Sequence, residues 1–307
     1  MGSTDSTRAG ADATPIAPSN AWLPPAVRAL RPHQWAKNVL LFAPALAAHR
    51  MGDGATISRA LAAFAAFGAA ASAGYLLNDL RDVHADRAHP RKRHRPIASG
   101  ALSAGSARAL ALLLVAAAAA ISWRLPAGFA AVLAAYVATT AAYSFGLKRR
   151  PVLDVLLLAG LYTLRLFAGA EATGTPVSEW FASFSMFVFL SLALLKRTAE
   201  LSRATVVPPG RGYRLEERSL LSAMGVAAAF VSVLVLALYV SSEAVTRLYS
   251  YPRWLWLLCP IVLYWLSRLW LVAFRGEMDD DPVLFALRDR ESLVTAVAAA
   301  AVVWAGI

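Results

Sequence analysis

The chain has 307 residues, 58% hydrophobic and only 16% charged, with a mean hydropathy of +0.53. That is too apolar and too charge-poor for an ordinary water-soluble domain, and a single cysteine excludes a disulfide framework or a thiol metal site. The net charge of +11 would suit a nucleic-acid binder in a soluble chain, so the placement of the charge has to decide.

Residues 1–25, rich in alanine, proline, serine and threonine and without the apolar core of a signal peptide, are expected to form a disordered tail, and residues 26–307 a single membrane domain. Apolar stretches of about 20 residues, the length that crosses a bilayer, then follow one another. They predict nine helices, over 36–51, 57–80, 103–123, 127–146, 152–172, 178–195, 219–241, 254–274 and 292–307. The runs show no period-2 alternation, and a spanning backbone must satisfy its own hydrogen bonds, so the expected fold is an all-α polytopic membrane bundle of about nine transmembrane helices. Most Lys and Arg residues fall in the loops after the even-numbered helices. The positive-inside rule places those loops and the N-terminus in the cytoplasm, and nucleic acid is not needed to explain the charge.

At the start of the first helix, Lys37 in HQWAKN is a candidate phosphate ligand, and equally a lysine snorkelling to the headgroups. The second helix ends in NDLRDVHADRAHPRKRHRPIASG, residues 78–100. On a continuing helix Asn78, Asp79, Asp82 and Asp86 fall within an arc of roughly 100°. Carboxylates this close repel, so they call for a counter-cation. Hard oxygens along one face suit Mg²⁺, which takes a few carboxylates and shares its other sites with water and phosphate. Pro90 and Pro96 bracket Arg91, Lys92, Arg93 and Arg95, so cations are held next to the acids, a combination suited to a diphosphate. The plainer reading is a solvated helix end whose carboxylates pair with those arginines. His84, His89 and His94 have no transition-metal spacing, and His89 reads as a loop hydrogen bonder.

Farther on, Tyr143 and Lys148 in YSFGLK read as an interfacial tyrosine and a topology-setting lysine. Asp154 and Arg165 lie within the fifth helix, about 20° apart in angle and three turns apart in height, where charge is costly. Arg165 either faces a cavity and meets a phosphate or bonds to neighbouring helices. The sixth helix ends in LLKRTAELSR, where Lys196 and Glu200 form either a simple i,i+4 pair or part of a site. The two charged helix ends, four helices apart, are consistent with a diverged internal repeat facing a central cavity. Cys259 reads as a buried structural thiol, and Arg268 as a cation stacked on Trp265 and Trp270.

At Asn78, Asp79, Asp82 and Asp86 the sequence resembles the UbiA superfamily of intramembrane prenyltransferases, whose first signature has the form N-D-x-x-D-x-x-x-D. Together with LRPHQWAKNVLLFAP, YSFGLKRRPVLDVLLLAGLYTLRLFAGA, KRTAEL and ALRDR, it resembles most the decaprenyl-phosphate phosphoribosyltransferase branch of that superfamily, over about residues 28–291. The resemblance implies nine helices around a cavity open to lipid. It also implies attack of a polyprenyl phosphate on phosphoribosyl pyrophosphate with loss of pyrophosphate, assisted by Mg²⁺ held on Asn78, Asp82 and Asp86. Substrate contacts are implied for Tyr143 and Lys148. Where aromatic prenyltransferases of the superfamily carry a second aspartate pair, this chain has Lys196 and Glu200 with Arg197 beside them, which exchanges a second metal site for a fixed cation able to hold phosphate.

The expected catalytic set is therefore Asn78, Asp82, Asp86 and Lys196, with Lys37, Asp79, Lys92, Arg93, Arg95, Tyr143, Lys148, Arg165, Arg197 and Glu200 binding substrate. The expected setting is the cell's inner membrane with the site facing the cytoplasm, and a homo-oligomer is compatible with it. Two other functions fit a chain of this kind: alkylation of an aromatic acceptor by a polyprenyl diphosphate, and a lipid carrier or transporter using its basic loops. The segments at 206–217 and 275–282 depart from the phosphoribosyltransferase pattern and leave donor and lipid open.

Overall fold

The computed structural model describes residues 22–90, 92–203, 212–278 and 281–307. Over these it is helical, with no strand among the described residues. In chain order the elements are α1 (Pro25–Leu30), a 3-10 stretch Pro32–Phe42, α2 (Ala43–Ala47), α3 (Gly54–Arg81), α4 (Val83–Ala88), α5 (Ala104–Ser122), α6 (Ala127–Phe145), α7 (Leu153–Thr173), α8 (Glu179–Ser202), α9 (Arg218–Val240), α10 (Glu243–Leu248), α11 (Leu258–Phe274), α12 (Pro282–Ala286) and α13 (Arg290–Gly306). Local chemistry sets several of the starts. Asp53 accepts from the N–H groups of Ala55 and Thr56 ahead of α3, Ser103 from Ser106 ahead of α5, and Ser178 from Phe181 ahead of α8. Gly174, left-handed at φ 64°, ends α7.

Seven segments among the described residues are long and apolar enough to cross a membrane: α3, α5, α6, α7, α8, Leu215–Val240 and Pro252–Phe274. The first and last of the nine expected crossings differ. The first is 11 residues of 3-10 helix followed by the five of α2. At about 2.0 Å per residue the 3-10 part alone reaches about 22 Å, and with α2 the segment spans about 30 Å, the thickness of the hydrocarbon layer. The last, α13, has 17 residues and is about 25 Å long. The sixth expected helix stops at 195, next to the first charges, yet α8 runs on to Ser202. Its charges are ion-paired inside the protein, so the helix has no reason to stop. The expected tail falls almost wholly on residues outside those described.

α7 lies inside the bundle, touching the 3-10 stretch, α3, α6 and α8, and 56% of its apolar window is buried, against 17% for α5 and for α6, which present leucine and valine outward. With no hydrophobic drive between helices in lipid, close packing has to hold such an interior together. Gly169 is the tightest point. A Cβ there would stand 2.0 Å from the Leu41 carbonyl oxygen, so α7 and the first crossing meet backbone to backbone. Gly225 does the same for the Trp270 ring, whose indole N–H donates to Ser191 at 3.0 Å. Cys259, expected to be buried, is only half-buried at the start of α11.

The alternating helices bring one set of loops to each end of the bundle. At one end Arg50 donates to the carbonyls of Thr173 and Gly174, and the Tyr251 N–H reaches the Gly306 carbonyl at 2.9 Å. The other end holds Lys37, Asp79, Asp154, Arg197 and Asp281, and is called the charged end below. A hollow of about 630 Å³ lined by Tyr251, Arg253 and Trp254, and an apolar groove of about 380 Å³ between α7 and α8 lined by Gly160, Phe167 and Met186, both lie away from those charges.

Candidate active site at the charged end

α3 stops at Arg81. Asp82 takes φ −93°, ψ 9°, its N–H bonding to the Asn78 carbonyl at 2.9 Å, and α4 resumes at Val83. The four acidic-signature residues therefore do not share the face of one continuing helix, as expected, but are divided by a break at Asp82. Asp79 and Asp86 turn inward and are buried. Arg31 donates to both oxygens of Asp79 at 2.6 and 2.8 Å, and Arg95 spans the gap, reaching Asp79 at 3.1 Å and Asp86 at 2.7 Å. Arg31 holds this position from a left-handed backbone, φ 53°, between α1 and the 3-10 stretch. Asp82 points the other way. Its side chain is 41% exposed and pairs with its neighbour Arg81 at 3.1 Å. Asn78, half-buried, donates to Ser144 on α6 at 3.4 Å.

One residue before Ser144, Tyr143 reaches a second cluster. Arg197 on α8, only 1% exposed, donates through Nε to Asp154 at 2.6 Å, through a terminal nitrogen to Tyr143 at 2.9 Å, and to Glu200. Tyr213 completes it, donating its hydroxyl proton to Asp154 and accepting from the Val152 N–H at 2.8 Å. Burial and the bond to Asp154 push the Tyr213 hydroxyl up, so it stays a donor at any ordinary pH. Val152 is held at φ 66°, a strained conformation for a β-branched residue that costs on the order of 1–3 kcal/mol. The network around it supplies the constraint.

A third charged group joins residues far apart in the sequence. Asp281, at the start of α12, caps that helix through the Val283 and Leu284 N–H groups at 3.1 and 3.3 Å, and also accepts from Lys37, 244 residues earlier. Lys196 stands 3.7 Å from the same oxygen. Burial alone would raise the Asp281 carboxyl, but the two ammonium groups and these hydrogen bonds hold it below the usual carboxylate range. Behind Lys37, the Tyr162 ring lies 5.8 Å from its ammonium and 5.5 Å from the guanidinium of Arg165. Arg165 is buried, and its hydrogen-bond partners are Asn38 at 3.1 Å, the Leu161 carbonyl at 2.6 Å and Tyr136 at 3.0 Å, all neutral.

The structure thus brings together Lys37 and Lys196, and separately Asp79, Asp86 and Arg95. Arg197, expected to bind substrate, pairs with Glu200, Asp154 and Tyr143, and Lys196, for which an i,i+4 pair with Glu200 was the plainer alternative, lies beside Asp281. Lys92 and Arg93 are exposed on a short 3-10 turn, Arg91 lies outside the described residues, and Lys148 is half-buried in the turn Leu147–Arg149. His89 accepts the Lys92 N–H at 3.3 Å, as a loop histidine should. Arg268, expected to stack on tryptophans, instead grips Asp289 with both terminal nitrogens at 2.6 and 3.0 Å among the described contacts.

For a divalent ion the donors fit in reduced form. Among the described residues no three His, Cys, Asp or Glu side chains gather into a cage. Asn78 and Asp82 offer hard oxygens beside water, which matches the habit of Mg²⁺ to use one or two carboxylates and complete its shell with water and phosphate. Asp86, the third expected ligand, is held by Arg95.

An apolar helical bundle with seven described segments long enough to cross a bilayer is a multi-pass membrane protein, with acids and bases gathered at one end. The sequence profile of the UbiA prenyltransferase family matches residues 39–288, and the chain belongs to that family. It is 41% identical over 268 residues to the uncharacterized protein y4nM of Sinorhizobium fredii, covering 86% of this chain but only 52% of y4nM, so it spans about half of that relative's length. It is 38% identical to the nodulation protein NoeC of Azorhizobium caulinodans, over 87% of this chain and 88% of NoeC. A decaprenyl-phosphate phosphoribosyltransferase of Mycolicibacterium smegmatis is 43% identical over 205 residues, 65% of this chain and 64% of that one. Among solved structures, a UbiA homolog from Archaeoglobus fulgidus bound to DMAPP and Mg²⁺ has the same fold, with a TM-score of 0.67 over 91% of this chain and 98% of that one at 15% identity.

Proposed function

We propose that the chain transfers a 5-phosphoribosyl group from phosphoribosyl pyrophosphate to a polyprenyl phosphate in the inner membrane, with its charged end in the cytoplasm, where the positive-inside rule puts it. The observation that carries this reading is the convergence of Lys37 and Lys196, with Arg165 behind the shared Tyr162 ring. Where the superfamily resemblance leads one to expect a second carboxylate pair, the chain places fixed cations suited to a phosphate monoester. The 43% identity to a decaprenyl-phosphate phosphoribosyltransferase supports the same donor.

In this reading Lys37 and Lys196 take the 5-phosphate, and the pyrophosphate lies at the other cluster. Asn78 and Asp82 would hold Mg²⁺, which supplies charge neutralisation to the leaving pyrophosphate. The bond from the anomeric carbon to the pyrophosphate oxygen breaks with its electron pair, and an oxygen of the lipid phosphate forms the new bond to that carbon. The lipid phosphate is already ionised near neutral pH, so no strong base is needed. Catalysis then comes from positioning and from charges placed where charge develops.

A second reading, alkylation of an acceptor by an allylic diphosphate, draws support from the DMAPP and Mg²⁺ in the A. fulgidus homolog. Purified chain given labelled phosphoribosyl pyrophosphate, unlabelled polyprenyl phosphate and Mg²⁺ separates the two. A labelled lipid is expected. No label in the lipid, with alkylated product formed from a polyprenyl diphosphate instead, rejects the first reading.

A further inference from the structure

Asp281 is the one carboxylate that both Lys37 and Lys196 approach among the described ion pairs. Its side chain is 15% exposed, and those of the lysines are 13% and 27% exposed, so the three are partly withdrawn from water and their charges are felt strongly. The carboxylate is placed by backbone bonds at the start of α12, independently of the lysines. It therefore behaves as a tethered anion, one oxygen capping α12 and the other standing where a substrate oxygen would go. Lys37 links the two groups, standing beside Asp281 with Lys196 and beside the Tyr162 ring with Arg165, whose described hydrogen-bond partners are all neutral.

We propose that Asp281 is a specificity-determining residue of the Lys37–Lys196 anion subsite: its carboxylate occupies the subsite in the resting protein, so that a dianionic phosphate monoester displaces it while monoanions do not. The inference rests on the assignment of Lys37 and Lys196 to a phosphate. A chloride or a free carboxylate carries no more charge than Asp281 and has to be drawn from solution, whereas Asp281 is already in place. A phosphate dianion brings twice the charge and three acceptor oxygens, enough to engage both ammonium groups at once. The apparent affinity for any anion is lowered by the fraction of time the carboxylate holds the subsite. Weak anions are then screened out, at some cost in affinity for the right one.

The test is binding of inorganic phosphate to the full chain in detergent, with and without acetate as a monoanionic competitor. Asp281→Asn removes the charge but keeps an oxygen able to cap α12, and Asp281→Ser does the same with a different shape. Both are expected to bind phosphate roughly tenfold more tightly than the wild type. Acetate should erode that gain in the variants and leave wild-type binding unchanged. Phosphate binding that is equal or weaker in both variants, or acetate acting alike on variant and wild type, overturns the role of Asp281. Lys37→Met and Lys196→Met test the underlying assignment. If neither weakens phosphate binding, or the wild type binds none, the subsite itself is wrong, and the inference falls with it.

Discussion

The two clusters at the charged end are built from the same materials and finished differently. Around α8, Arg197 and Asp154 have side chains 2% and 0% exposed, and every polar contact described for them ends on another protein group. Around the end of α3, Arg95 is 30% exposed and Asp82 41%, and the ion pair described for Asp82 is with its neighbour Arg81. α6 touches both, Tyr143 bonding to one and Ser144 to the other. A saturated, dry ion pair has no valence left for a ligand and fixes the positions of its helices. An open one, wet and partly paired, can exchange its partner for substrate. The saturated Arg197–Asp154 pair thus fixes helix positions, while the end of α3 keeps exposed, partly paired charges.

The largest expected effect lies in the saturated cluster. Asp154→Ala should lower stability by about 3–5 kcal/mol, because it strands Arg197 without its buried partner. Thermal unfolding in detergent reads this, and the double variant Asp154→Leu/Arg197→Met should regain most of the loss. Stability near wild type in the single variant would show that the α8 cluster is not the fixed one. Next, Asp82→Ala should cut turnover by roughly 10²–10³, the usual worth of a charge-stabilising group, while unfolding at the wild-type temperature. An equal fall in stability would erase the distinction between the two ends. Gly169→Ala, outside both clusters, forces the first crossing off α7 and should cost about 1–3 kcal/mol by overpacking. Since Lys37 rides on that crossing, the KM for the donor should rise more than kcat falls.

The smallest effect is expected at the third acid–base pair, Arg268 with Asp289. Burial would raise the Asp289 carboxyl, but Arg268 and Ser292 bring it below its ordinary value of 3.8. A carboxyl depressed in the folded state contributes stability that is complete above that ordinary value and is lost as pH falls through the lowered one. Acid unfolding of Asp289→Asn should therefore differ from wild type by its full amount, less than about 1 kcal/mol, above about pH 3.8, the two curves converging as pH falls through the lowered value.

The crossings were legible because an apolar run of bilayer length has few other uses, and the interior ones were found to within a few residues. The end of α8 was not, because a lysine, an arginine and a glutamate read as a helix meeting water when they are in fact paired inside the protein. The aspartates of the first signature were visible as a group, but which of them face inward depends on the break at Asp82, which the spacing did not announce. Asp281 carried a local signal, an aspartate before a proline opening a helix, and that signal accounts for its cap alone. Its bond to Lys37 joins the two extremes of the chain, and a single sequence holds no mark of it.

The 3-10 winding of residues 32–42 repeats every three residues, so it stacks side chains in straight rows along the edges of a three-sided prism. One edge carries Trp35, Asn38 and Leu41, which dock onto Ser72, Arg165 and the Gly169 notch, while Lys37 and Leu40 run down the next. Inserting or deleting one residue before Lys37 would turn the prism by about 120°, moving the ammonium a whole edge away even though the lysine itself remained. The length of this short segment is thus as much a part of the chemistry as its composition.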